Sequence, residues 1–144
     1  MTLFAESLPV DHDVRERVRT DLGRNLFVEA GAGTGKTRVL VDRVVHLVAS
    51  GMVSDIARLV AITFTEAAAA ELRDRIRTEL ERASTAAALT DHERARCSDA
   101  RTHIDRATIT TLHGFAQRIL AENPLDAGLA PMFEIDDEDR KSVV

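Results

Sequence analysis

The eight residues Ala30-Gly31-Ala32-Gly33-Thr34-Gly35-Lys36-Thr37 constrain this chain more than any other feature. Glycine at Gly31, Gly33 and Gly35 lets consecutive backbone N–H groups curl inward without Cβ clashes. The flanks suit such a turn. Leu26-Phe27-Val28 is apolar, short and bounded, as a buried strand would be. From Lys36 to Ser50 apolar residues fall on nearly every face (Val39, Leu40, Val41, Val44, Val45, Leu47, Val48), which predicts a helix sandwiched between layers and ended by Gly51. Strand, glycine turn and helix together fit the phosphate-loop pattern, with Ala30 where the strict form has glycine. The helix would add its positive N-terminal end to the cradle. Lys36 would reach the β- and γ-phosphates, and the Thr37 hydroxyl would be a ligand for Mg²⁺. The expected ligands are therefore ATP, or another nucleoside triphosphate, and Mg²⁺. The competing reading is a glycine-rich turn with a chance lysine, and it leaves both flanks unexplained.

The rest of the chain alternates in the same way. Val10 to Asp21 places charges between Val14, Val18 and Leu22, predicting a short amphipathic helix stopped near Gly23. Leu59-Val60-Ala61-Ile62 is a second strand candidate. Glu66 to Ala83 predicts the strongest helix, opened by Ala67 to Ala70 and carrying Leu72, Ile76 and Leu80 every fourth residue. In it Arg73, Arg75 and Arg77 alternate with Asp74 and Glu79, as on a solvated face. Thr90 to Asp105 reads as a polar helix with few apolar anchors. Ala107 to Thr111 reads as a third strand, and Leu112 to Glu122 as a helix ending near Pro124. This order predicts an α/β fold with a parallel sheet and crossover helices, in one domain over residues 1–144.

Composition narrows the function. A formal net charge of −5 argues against a domain held to nucleic acid by bulk charge, so any such contact would be local. With Cys97 as the one cysteine there is no internal disulfide, and the chain reads as cytoplasmic. Met1 to Arg19 lacks the apolar stretch of a signal peptide, and no apolar run approaches the roughly 20 residues that span a membrane. His92, Cys97 and His103 are spaced so that one helix face would not gather them around a metal. The acidic tail (Asp136 to Asp139) reads as a solvated segment.

Two further segments carry a resemblance. Ile62-Thr63-Phe64-Thr65-Glu66-Ala67-Ala68-Ala69-Ala70-Glu71-Leu72-Arg73-Asp74-Arg75-Ile76 resembles motif Ia of the UvrD/Rep-type superfamily 1 DNA helicases, and Thr110-Thr111-Leu112-His113-Gly114-Phe115 resembles their motif Ib. With the Val28-Glu29-Ala30 lead into the phosphate loop, the likeness is to the RecB/AddA-like helicase–exonuclease branch, over roughly residues 10 to 135. The resemblance implies part of a RecA-like P-loop NTPase domain, and ATP-driven 3′ to 5′ translocation on single-stranded DNA in repair or recombination. It also implies DNA duplex ends as substrate and, as partner, a nuclease domain or subunit. It implies further that Phe64, Thr65, Thr111 and His113 lie along the DNA track. Thr hydroxyls and helix N-termini suit sugar–phosphate contacts, and Phe or His can stack on a base. On the residues alone, Phe64 also fits a core position, His113 a local cap or a local packing position, and Phe115 the core.

The chain departs from the family at several points. Many relatives carry a Gln near Asp11 to contact adenine, where this chain has His12. The strand ending in an Asp-Glu pair, the later arginines and the second RecA-like lobe have no counterpart in these 144 residues. Phe133-Glu134-Ile135-Asp136-Asp137-Glu138 is too polar for a buried metal-binding strand and resembles instead a Pro-x-Phe-Glu stretch just beyond motif Ib in relatives. The expectation for the isolated chain is nucleotide binding with little or no turnover, a truncated remnant of a motor. A P-loop ATPase or kinase of another kind would leave motifs Ia and Ib without a role.

Overall fold

The computed structural model describes residues 12–29, 31 and 33–128. Five helices and two strands run in the order α1 (His12–Thr20), α2 (Lys36–Ala49), β1 (Val60–Thr63), α3 (Glu66–Ser84), α4 (Asp91–Thr102), β2 (Thr108–Thr111) and α5 (Leu112–Glu122) among these residues. Short 3₁₀ turns at Ile56–Arg58 and Ile104–Arg106 lead into the two strands. Val10 and Asp11, the acidic tail and the Phe133 to Glu138 stretch lie outside the described residues.

Helix α3 is the organising element. Thr65 caps it, its hydroxyl accepting from the Ala68 N–H at 3.1 Å. One stripe, Ala69, Leu72, Ile76, Leu80 and Ala83, is buried, with Ile76 and Leu80 at 0% exposure. Against this stripe pack α2, through Val41, Val44 and Val48, and α4, through Cys97 and Ala100. Helix α4 has few apolar anchors, as its composition predicts, and starts instead on a reciprocal cap between Thr90 and Glu93. Helix α2 also meets α1, so this apolar helix is layered between neighbours.

Arginines stitch the helix ends. Arg43 donates to the carbonyls of Asp21 at 2.9 Å and Arg24 at 3.3 Å, tying the end of α1 to α2. Arg96 Nε donates to the Ala49 carbonyl at 2.9 Å, satisfying a last-turn acceptor of α2.

The strands β1 and β2 are parallel, with Val60, Ala61, Ile62 and Thr63 opposite Thr108, Ile109, Thr110 and Thr111. Alternation puts Ala61 and Ile109 on the α3 side, where both join the core. Val60 and Ile62 point to the other face and are 48% and 46% exposed. Helix α5 covers the β2 half of that face: Arg118 donates to the Thr108 hydroxyl at 2.6 Å, and Gly114 sits over Thr110.

Two expectations are corrected. Leu26-Phe27-Val28 forms no strand: Phe27 is 94% and Val28 44% exposed, outside the two-stranded sheet. An extended segment joins a sheet only where a neighbour supplies ladder groups, and none of the described residues does so here. Arg73 is not simply solvated. The Thr108 N–H bonds Leu59 O, so the Ile109 carbonyl faces away from β1, and Arg73 Nη2 donates to it at 2.8 Å. Arg75 is solvated as expected, and Arg77 pairs with Asp105 at 3.0 Å.

Candidate functional site

The phosphate-loop pattern becomes a specific backbone shape. Gly33 and Gly35 have φ of 75° and 82°, the left-handed region that other residues adopt only with strain. Gly35 is the cap residue of α2, and as a glycine it contributes no side-chain cap hydrogen bond. The helical ladder starts directly behind, with the Val39 N–H donating to Gly35 O at 3.2 Å. The N-terminal, positive end of the α2 dipole therefore lies directly behind the glycine loop.

Side chains close the loop on itself. Thr34 Oγ1 and Lys36 Nζ each donate to the Gly31 carbonyl, both at 2.8 Å. The ammonium is thus held at the mouth of the loop, with Lys36 and Thr37 both exposed on the first turn of α2. Ala30 and Ala32 lie outside the described residues. Beside the loop a groove of about 660 Å³ runs between α1 and α2, lined by Arg15, Leu26, Glu29, Thr34, Lys36 and Leu40 among others. Arg15 Nη2 donates to the Thr34 carbonyl at 2.7 Å.

A second group forms at the carboxyl end of the sheet. Because Thr63 and Thr111 are register partners, Phe64-Thr65 and Leu112-His113 leave the sheet side by side. Phe64 is 101% exposed, which removes the core reading. His113 is also exposed, and the cap of α5 is Thr111 rather than His113. Phe115 is half-buried. Thr65 and Thr111 are both capping residues; Thr111, buried, accepts from the Gly114 N–H at 3.1 Å and donates to Glu66 Oε1 at 2.9 Å.

Three contributors escape sequence reasoning. Arg15 is 19 residues from Thr34 and nothing in its neighbourhood marks it. Glu66 reads as an ordinary first-turn acid. Gly114 carries a signal, a glycine inside a helix pattern, which usually marks close packing. A Cβ there would lie 2.5 Å from Thr110 Oγ1 and 3.3 Å from Thr111 Oγ1. His92, Cys97 and His103 are not gathered: Cys97 is a core residue whose thiol burial pushes up, and His103 stands against Asp99 at 3.2 Å. Among the described residues no helix is long and apolar enough to cross a membrane.

The chain is also similar to known proteins. The family model described as UvrD/REP helicase N-terminal domain matches residues 10–144. The larger relatives are ATP-dependent helicase/nuclease subunits. That of Ligilactobacillus salivarius is 38% identical over 125 residues, 87% of this chain and 10% of that protein. Its counterpart in Geobacillus thermodenitrificans is 42% identical over 118 residues, 81% of this chain and 9% of its own length. The one from Heliobacterium modesticaldum is 36% identical over 140 residues, 94% of this chain and 10% of its own. The chain thus spans about a tenth of the curated relatives it matches.

Proposed function

This chain belongs to the UvrD/REP helicase N-terminal domain family, and on that premise we propose that it is the nucleotide-binding part of an ATP-dependent DNA helicase acting beside a nuclease, as its relatives' names describe. The observation that carries the reading is the loop with left-handed Gly33 and Gly35 ahead of Lys36 at the start of α2. It fits a triphosphate: backbone donors of the loop would surround the phosphates, and Lys36 would exchange the Gly31 carbonyl for β- and γ-oxygens. Thr37, exposed on the first helical turn, is the side chain that would hold Mg²⁺. Magnesium, when bound, supplies charge that offsets the negative charge developing on the phosphoryl group.

In this reading Phe64 and His113 stack on bases of single-stranded DNA, and Thr65 and Thr111 set the helix N-termini that face its phosphates. Adjacent exits from β1 and β2 support one continuous track. Turnover is a separate matter. Among the described residues lining the groove Glu29 is the one carboxylate, and phosphoryl transfer depends on several positioned charges. The 144-residue chain is therefore expected to bind nucleotide without rapid hydrolysis.

The test is titration of a fluorescent ATP analogue with Mg²⁺ into the chain and its Lys36→Ala variant. Saturable binding that Lys36→Ala abolishes supports the reading; equal binding by both overturns it. Robust hydrolysis by the chain alone, lost in Lys36→Ala, would overturn the expectation of slow turnover while keeping the site.

A further inference from the structure

We infer that Arg15 of α1 is a positioning residue of the phosphate loop, setting the curl in which Lys36 and the α2 N-terminus can receive a triphosphate. The inference rests on the nucleotide reading above and goes beyond it, because Arg15 lies outside the loop motif.

Arg15 reaches the loop at its most demanding point. Its Nη2 donates to the Thr34 carbonyl at 2.7 Å, a charge-assisted bond to the residue between the two left-handed glycines. Its Nη1 lies 3.3 Å from where a Cβ of Gly35 would stand, so the guanidinium packs over the cap of α2. The loop is also closed by Thr34 Oγ1 and Lys36 Nζ on the Gly31 carbonyl. When a phosphate draws Lys36 away, one of those two ties is released. Arg15 is then the side chain that still holds the Thr34 carbonyl outward, keeping the neighbouring N–H groups turned toward the anion.

Its own base is firm. Helix α1 is held to α2 by Arg43, which spans the carbonyls of Val18, Asp21 and Arg24. Arg15 and Lys36 therefore approach the loop from two helices fixed to each other, and both line the same groove.

Arg15→Met keeps the stem that packs along α1 and removes the donors; Arg15→Lys restores one donor and the charge but not the planar fork. Arg17→Ala, also on α1, controls for loss of a cation. Binding of fluorescent ATP, ADP and AMP analogues is measured for each variant, with thermal melts taken without nucleotide. Arg15→Met should bind the ATP analogue about tenfold more weakly, with the AMP analogue little changed. Arg15→Lys should recover part of the loss, and Arg17→Ala should bind like the parent. A merely structural role would lower the melt and weaken all three nucleotides alike, and that pattern overturns the inference. So does Arg15→Met binding like the parent while Lys36→Ala has lost binding. Should Lys36→Ala bind like the parent, the nucleotide reading itself fails.

Discussion

The Thr111 hydroxyl donates to Glu66 Oε1 at 2.9 Å while accepting the Gly114 N–H at 3.1 Å, so one side chain joins the first turns of α3 and α5. Thr111 ends β2 opposite Thr63, so the bond locks the two exits from the sheet together. Replacing Thr111 with Val keeps the shape, removes the cap and leaves the half-buried Gly114 N–H without this acceptor, and should cost about 1–2 kcal/mol of stability. Glu66→Ala should cost under about 1 kcal/mol, because Glu66 is exposed. The double variant should cost less than the sum by at least about 0.5 kcal/mol in urea unfolding. Strict additivity would show that the contact does not couple the helices.

Gly114 reverses the usual rule for helices. Glycine to alanine in an open helix interior stabilises by about 1 kcal/mol. Here the added Cβ would meet Thr110 Oγ1 at 2.5 Å, far inside contact distance. Gly114→Ala should therefore destabilise by about 1–3 kcal/mol, as overpacking does. Combining it with Thr110→Ala removes the obstructing hydroxyl and should recover most of the loss. A Gly114→Ala variant that melts above the parent would show that α5 can sit farther from β2.

Much of this fold is legible in the sequence because helix signals are local. Leu72, Ile76 and Leu80 repeat at the spacing of one buried face, and the start of α5 at Leu112 follows directly from the end of a β-branched run. The curl at Gly31, Gly33 and Gly35 is readable from the glycines themselves, while the left-handed φ of Gly33 and Gly35 is seen only in the folded loop. Leu26-Phe27-Val28 reads as a strand and is not one, because apolar character does not supply a ladder partner and pairing is a tertiary fact. Arg73 misleads for a related reason: only the pairing direction of β2 reveals that the Ile109 carbonyl needs a donor. Arg15 and Glu66 act across 19 and 45 residues of sequence, beyond any periodic signal.

The cap of α4 gives a pH dependence of known sign. Glu93 Oε2 accepts the Thr90 backbone N–H at 2.8 Å and the Thr90 hydroxyl at 2.7 Å. The backbone bond foremost, then the hydroxyl, holds this carboxyl below the usual glutamate range. A carboxyl with a depressed folded value contributes stability above its unfolded value, about 4.3, and loses that contribution as pH falls through the lowered folded value. Glu93→Gln should be less stable than the parent at neutral pH, with the gap closing as pH drops below about 4. A gap of constant size down to about pH 3 would mean that the charge of Glu93 contributes nothing to the cap.

Exposed apolar side chains predict how the chain behaves alone. Phe27 is 94% exposed, and Val60 and Ile62 are about half exposed on the face of β1 that α5 leaves bare. Burying such groups against another chain is favoured by roughly 25 cal/mol per Å² of apolar surface, and an open strand edge adds backbone pairing. The purified chain should therefore associate in a concentration-dependent way, seen as a rising sedimentation coefficient. Phe27→Ser with Ile62→Thr should suppress that rise. Neither side chain is buried in the monomer, so the double change should move the unfolding free energy by less than about 1 kcal/mol. Association that survives the double variant would place the sticky surface elsewhere, with Leu112, Ile119 and Leu120 on α5 the next apolar group to replace. A large loss of stability would instead show that Phe27 packs against the fold in solution, and that the segment before the phosphate loop is covered after all.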